Sequence, residues 1–456
     1  MKIQQLAREA TRLAMLVPVM SLTLVGCGSD DDDDDPAYVR VLHASPDAPA
    51  VDVLVNGSAA LTGVSYQQGS GYLRLEEGNN TVALRVSGTE TIALEQTLTL
   101  SANGYYSVIA QNDVANIEFE VLDDTIRRGN DSNDVTVVHA SPDAGSVDVY
   151  VTANGADLGD ATLPGVPFDA NATLPNIADS DYQVRITGAG SSEVVYNSGS
   201  LTVNTDVTAV AVNSNKGASP VSLLIWAEAE SPVTPVLDNT AEVRIVHAVD
   251  SVSVDVFAGG AELLGDFNYL DTTVTQANPS GYVKVAAGAL PVAIAPANQG
   301  IENALANLSG TLTLERGESY TVIAAGDLAA VADAELITLV DKRENTSTEN
   351  GDVRLVHASS ADAADPVDIF VYAQGSTQPA TPTFADVVLG QARPDKTGGY
   401  TALPAGTYTV DIAADGTTAA AVPGTNAVPV AAGAINTAIA VGNGSGLSAI
   451  LLNDKR

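Results

Sequence analysis

The feature that most limits what this chain can fold into is a repeat. Its four histidines, His43, His139, His247 and His357, lie 96, 108 and 110 residues apart, and alanine follows each one. The surrounding text recurs as "VRVLHASPDAPAVDVLV", "VTVVHASPDAGSVDVYV", "VRIVHAVDSVSVDVFA" and "VRLVHASSADAADPVDIFVY". A fixed period of this kind means one structural unit used four times, and it governs the reading of the rest. A chain of 456 residues has room for three or four ordinary domains, which agrees.

Each opening is followed by a tyrosine-led segment: "GYLRLEEGNNTVALRV", "DYQVRITGAG", "GYVKVAAGALPVAIAP" and "GYTALPAGTYTVDIAA", headed by Tyr72, Tyr182, Tyr282 and Tyr400. A third pair of segments comes next, as in "LTLSANGYYSVIAQN" and "LTLERGESYTVIAAG", where Asn-Gly and Arg-Gly-Glu have the look of hairpin turns. The apolar runs are β-branched and alternate with period two, and no segment sustains a helical period. Aromatic residues make up only 5% of the chain, so the cores are built of Val, Ala, Leu and Ile. About seven short strands in roughly a hundred residues have the size and texture of an immunoglobulin-like sandwich. A propeller with two blades per repeat would need a half-period, which the sequence lacks. The reading is therefore all-β: four tandem Ig-like β-sandwich domains over 37–124, 134–227, 241–341 and 352–453. The polar or Pro-rich stretches between them, "TIRRGNDSND", "EAESPVTPVLDNT" and "DKRENTSTENG", read as linkers that permit bent or straight arrays.

Residues 1–26 read as an address: Lys2, Arg8 and Arg12, then the apolar "LAMLVPVMSLTLVG" and a small residue before Cys27. The last four residues, "LVGC", resemble the lipobox of bacterial lipoproteins. That resemblance implies cleavage before Cys27, lipidation of its thiol and acylation of the new amino terminus. Cys27 is the only cysteine, so the exported part can form no internal disulfide. Two or more acyl chains anchor a protein firmly without spanning the bilayer. Residues 27–36 then carry six consecutive aspartates, a block that self-repels and extends, reaching roughly 35 Å at about 3.3–3.6 Å per residue. Such a block lifts the folded part off the membrane. Gly28 after the cysteine, by resemblance to enterobacterial sorting, favours the outer membrane, with the protein facing the periplasm or the cell surface.

The formal charge is −36, and removal of residues 1–26 leaves the chain two units more negative. That field repels nucleic acid and bare anionic membrane, which makes them poor partners. The opening motifs "HASPDAPAVDVLVNG" and "HASPDAGSVDVYV" resemble the bacterial domain of unknown function 4397, found in exported and lipid-anchored proteins. The third repeat departs from the motif with "HAVDS" and the fourth with the insertion "HASSADAADP". The resemblance spans nearly all of the chain after the tether, and it implies architecture rather than chemistry.

Strand parity places Val39, Val41 and His43 on one face and Arg40 and Leu42 on the other, with the same split in the other three repeats. The histidine therefore closes the face expected to pack inward, where it needs hydrogen-bond partners. The turn offers Ser45 and Asp47, Ser141 and Asp143, Asp250, and Ser359 and Asp362. In the next strand Asp52, Asp148, Asp255 and Asp368 recur; if the two strands pair, each shares an exposed face with Arg40, Arg244 or Arg354, while the second repeat has Thr136 there. An exposed pair of that kind is worth about 0.2–1 kcal/mol. A Ser-His-Asp set fails because the third repeat lacks the serine and no nucleophile elbow is present. With one histidine and no cysteine per repeat, a transition-metal site would need the four repeats to pack around an axis so that their histidines meet. Calcium, which takes oxygen ligands, would be structural and held at loops or linkers, since no D-x-D-x-D-G loop is present. No cofactor is expected. The recurring tyrosines read as packing ahead of a sugar-stacking platform, and Trp226 as the cover of a domain edge.

These features point to a non-catalytic envelope or surface lipoprotein. Its repeated domains would act as an adhesin-like binding stalk for an extracellular or envelope polymer or protein, held to the membrane through its N-terminal lipid. The alternatives are a surface carbohydrate-active or other hydrolytic enzyme, and a purely structural spacer.

Overall fold

The computed structural model describes residues 35–125, 133–227, 232–250, 252–327, 334–345, 347–360, 365–418, 420–442 and 448–455. Cys27, the first five of the six consecutive aspartates and Asp362 lie outside them. The described chain is a tandem array of β-sandwiches, with eight sheets of four or five strands, two for each repeat. The first repeat has eight strands rather than about seven. One sheet orders Leu73–Leu75, Ala37–His43, Tyr105–Gln111 and Glu118–Asp123; the other orders Ser58–Val64, Val51–Val55, Gly78–Val86 and Ile92–Leu100. The same arrangement returns in the other repeats, with an added strand Thr234–Val236 in the second and a split edge, Ala392–Arg393 and Thr401–Pro404, in the fourth.

Two sequence expectations about pairing are corrected. The first two strands of a repeat, Ala37–His43 and Val51–Val55, lie in opposite sheets, so "HASPDAPA" is a crossing between layers and not a hairpin turn. The Asn103–Gly104 turn likewise joins Ile92–Leu100 in one sheet to Tyr105–Gln111 in the other. The opening strand runs parallel to Tyr105–Gln111, setting Val39 opposite Tyr106, Val41 opposite Val108 and His43 opposite Ala110. Parallel neighbours cannot be joined by a tight turn, which is why a local reading of turn residues missed the arrangement.

Each sandwich is filled by the inward face of both sheets. In the first repeat these are Val39, Val41, Val51, Val53, Val82, Leu84, Leu98, Leu100 and Val108. The outward face of the opening strand is buried too. Leu42, Ala44, Ile109 and Leu122 of the first repeat pack against Val138, Val210, Val212, Leu224 and Trp226 of the second. Val246, Ile323, Ile337 and Leu339 of the third pack against Val356, Ile439, Val441 and Leu452 of the fourth. Repeats one and two, and three and four, are thus joined sheet to sheet, each fully buried aliphatic side chain contributing about 1.5–3 kcal/mol. The stretches read as linkers are drawn into the structure: Thr234–Val236 pairs with Val221–Ala227, and Arg343 donates to the Asp454 carbonyl of the fourth repeat. Repeats two and three also touch. Arg316 donates to the Ser198 carbonyl at 2.8 Å, and Lys284 lies 3.2 Å from Asp238. Gly217, at φ +68°, lies so close to Gly317 that a Cβ on it would sit 2.9 Å from the Gly317 Cα.

Candidate functional site

The histidines end their strands with their rings inside the fold. His43, His139, His247 and His357 are each 1% exposed. In three repeats the Nε2–H donates to a backbone carbonyl of the crossing: Pro49 at 3.1 Å, Gly145 at 2.6 Å and Val252 at 2.9 Å. The Nδ1 accepts from the backbone amide two residues on, from Ser45 at 3.4 Å, Ser141 at 3.3 Å and Ser359 at 3.3 Å. Those partners assign the neutral Nε2–H tautomer, since one nitrogen donates and the other accepts. Burial lowers the pKa of His43, His139 and His247, with the carbonyl bond opposing it. The chain then folds back on the same residue: the amides of Gln67, Asp169, Leu270 and Gly390 donate to the carbonyls of His43, His139, His247 and His357.

The turn side chains do other work than the sequence suggested. Asp47 accepts from the Val114 amide at 2.7 Å, and Asp143 from the Asn213 amide group at 2.8 Å. Ser141 bonds Asn213 and Ser359 bonds the Gly442 carbonyl, while the Ser45 hydroxyl is buried without a partner among the described residues. Asp250 is half-buried, and its charge adds to burial in raising the Tyr269 phenol. In the third repeat, where "HAVDS" replaces the Ser-Pro turn, the strand continues to Val249 and the His247 Nδ1 has no partner among the described residues.

The second recurring aspartate is corrected more sharply. Asp52 does not face Arg40: the two residues sit in different sheets. Asp52 accepts from Ser87 Oγ at 2.7 Å, the Gly63 amide at 2.9 Å and Arg85 at 3.0 Å. The Ser87, Gly63 and Arg85 contacts hold its pKa below the usual carboxylate value against the desolvation of burial. Asp148 accepts from Gly165 and Gly190, Asp255 from Asp266 and Asn298, and Asp368 from Asp386 and Gly416, all backbone amides. This aspartate ties together two turns at one end of the second sheet.

The arginines expected at an exposed face are among the largest fully buried side chains. Between repeats three and four they form a reciprocal lock. Arg354 of the fourth repeat pairs with Asp341 of the third, and Arg244 of the third pairs with Asp454 of the fourth. Each guanidinium also bonds the threonine of its own neighbouring strand, Thr437 or Thr321, and a backbone carbonyl across the junction, Val340 at 2.7 Å or Asn453 at 3.0 Å. Tyr282 and Tyr400 stack on the guanidiniums, at 4.7 and 4.6 Å, and donate their hydroxyls to Asp341 and Asp454, both at 2.8 Å. Burial pushes both phenols far above the ordinary range, which keeps them donors. Burial also raises the Asp341 carboxyl, with the Arg354 guanidinium opposing it.

Between repeats one and two a single arginine takes this place, its bonds to the second repeat including those to the Ala227 carbonyl and Thr208. Arg40 lies between Tyr72 at 4.9 Å and Trp226 at 4.1 Å, bonds Ser107 at 2.7 Å and the Ala227 carbonyl at 2.9 Å, and sits 3.5 Å from Asp124. The second repeat has Thr136 at the arginine position, bonded to Thr173. Tyr182 is not the counterpart of Tyr72: it lies in the central strand of the other sheet, as Tyr408 does. Trp226 covers no edge; it fills the junction, its Nε1–H donating to the Ser70 carbonyl at 3.1 Å. The signal for this junction was present in the sequence. Leu42, Val138, Val246 and Val356 make the opening strands apolar on both faces, as strands buried on both sides are.

Among the described residues no three His, Cys, Asp or Glu side chains are placed to hold a metal ion. No helix among the described residues is long and apolar enough to cross a membrane. The family model described as Domain of unknown function (DUF4397) matches residues 37–150, 133–235 and 241–370. No curated protein matches the sequence. Among solved structures, the Bacillus anthracis TIE protein is 12% identical over 89% of this chain and 68% of that one, with a TM-score of 0.15. The family 41 carbohydrate-binding modules of streptococcal virulence factors, described for α-glucan recognition, are 12% identical over 42% of this chain and 93% of theirs, at 0.14. The multi-modular glycogen-degrading pneumococcal virulence factor SpuA is 9% identical over 85% of this chain and 37% of that one, at 0.16. Likeness at this level assigns no function.

Proposed function

The chain belongs to the DUF4397 family, and on that premise we propose that it is a non-catalytic, lipid-anchored envelope protein, a stiff stalk of paired β-sandwiches that presents binding surfaces away from the outer membrane. The observation that carries this reading is the continuity of packing between repeats. Two junctions bury apolar sheet faces around buried arginines, one in the first junction and two in the other, and the third brings backbone to backbone at Gly217 and Gly317. Small domains locked in series keep reach without slack, and several weak contacts on one rigid frame gain through effective concentration. The imidazoles of His43 and His139 support the non-catalytic part, since both ring nitrogens are bonded to backbone inside the fold. The anchor rests on the sequence: the apolar leader, the small residue before Cys27 and the six aspartates behind it.

The test uses the chain from residue 36 onward, without leader and cysteine, titrated on intact cells and on isolated envelope and matrix polymers. Saturable binding supports the stalk with a ligand; its absence on every surface tried refutes binding and leaves the spacer. Detergent-phase partition of the full chain and of Cys27→Ser tests the anchor separately: only the unaltered chain should enter the detergent phase.

A further inference from the structure

The space between the sheets of the fourth repeat is less filled than in the second and third. It holds a cavity of about 190 Å³, against about 90 Å³ in the second repeat and about 30 Å³ in the third. The strand registers show why. Opposite the inward valine of the opening strand stand Tyr106 in the first repeat and Tyr320 in the third, but Asn436 in the fourth. Two residues on, Val108 and Val322 are replaced by Ala438. On the last strand, Phe119 and Leu336 are replaced by Ala449. In the first and third repeats the tyrosine also closes the sandwich end, its hydroxyl accepting from the Ser101 or Glu315 amide. Three truncations thus fall on one spot, and Leu355, Ile369 and Leu451, which stand where the first repeat has Val41, Val53 and Val121, refill only part of it.

The cavity walls include Val353, Leu355, Ile369, Val410, Ile412 and Leu451, and among the described residues the only polar side chains on it are Asn436 and Ser448. A water inside needs two to four polar partners, whereas Asn436 and Ser448 stand at opposite ends of the paired strands Ile435–Val441 and Ser448–Asn453, with apolar wall between them; an apolar void of about 150 Å³ stays dry and takes up benzene. Leu451, whose parity turns it toward the space, is 51% exposed, so the edge strand Ser448–Asn453 leaves a way in. We propose that this cavity is a binding site for a small uncharged apolar molecule about the size of one aromatic ring. A charged ligand is excluded because no described side chain on the walls would pair with it. The proposal is independent of the stalk reading.

Fluorine NMR of fluorobenzene against the full exported chain tests it, with benzoate as the charged control. Saturable fluorobenzene binding is expected, together with a raised unfolding midpoint and no benzoate binding. Ala449→Phe, which restores the side chain of the first repeat, should weaken binding at least tenfold; Ala438→Val, a smaller filling that keeps the fold if the first does not, should weaken it several-fold. No saturable binding to the unaltered chain overturns the proposal. So does undiminished binding in a folded variant, which would move the site to the second repeat's void, or equal binding of benzoate.

Discussion

Replacing Asp341 with alanine tests whether the reciprocal arginine–aspartate lock holds repeats three and four together. Asp341 is fully enclosed and accepts from Thr321 at 2.6 Å, Tyr282 at 2.8 Å and the Arg354 guanidinium. Its removal leaves Arg354 buried, with Asp454 3.9 Å away and already paired to Arg244. Removing one partner of a buried ion pair costs about 3–5 kcal/mol, because the remaining charge stays desolvated. At a urea dependence of about 2 kcal/mol per molar, the transition of this pair of repeats should move down by roughly 2 M. The readout is built in. Trp226, the only tryptophan, sits between repeats one and two, so its fluorescence should hold its midpoint while the far-ultraviolet circular dichroism loses part of its transition early. Arg354→Met on top of Asp341→Ala should recover about 2 kcal/mol or more, since it removes the stranded charge. A loss below about 1 kcal/mol, the value of an exposed pair, or purely additive single changes, would refute the buried-lock reasoning.

Other outcomes follow from the same contacts. His43→Ala in the full chain should cost about 1–3 kcal/mol through its two lost ring bonds, and His247→Ala measurably less, because its Nδ1 bonds nothing described; equal losses would count against the assignment of both nitrogens. Trp226→Ala should cost about 3–5 kcal/mol and loosen repeats one and two, checked by limited proteolysis near residues 232–236, which should stay as slow as in the unaltered chain if the junction does not depend on it. Burial depresses the folded-state pKa of His43, His139 and His247 below the unfolded value, so their contribution is complete above about pH 6.5 and is lost as the pH falls toward the folded-state values. Denaturation midpoints measured from pH 7.5 to 5 should therefore decline, and the decline should shrink in His43→Gln; a flat profile would show that the fold does not disfavour the charged rings.

How much of this was legible beforehand differs from residue to residue. The inward parity of Val39, Val41 and His43 could be read from the alternation alone, because successive side chains of a strand must point to opposite faces. The partners of His43 could not: the residues offering themselves were Ser45 and Asp47, whereas the bonds go to the Pro49 carbonyl and the Ser45 amide, groups every residue carries and no sequence marks. Asp52 was legible as a recurring polar residue at the start of a strand, but its role depends on turns that close at Gly63 and Ser87. The void beside Ala438 and Ala449 was invisible until the registers set them opposite Val108 and Phe119.

The period of the histidines, the alternation of the apolar runs and the shortage of aromatics determined by themselves that this is an all-β chain of repeated sandwiches, because those patterns act over a few neighbouring residues. What the sequence could not decide was which face meets water. Arg40, Arg244 and Arg354 look like surface residues on any local count, and only the packing of repeat on repeat encloses them. Arg244 and its aspartate lie 210 residues apart, and their pairing exists only once two complete sheets have formed and met. Local rules fix the faces of a strand; what covers a face is a property of the assembled chain.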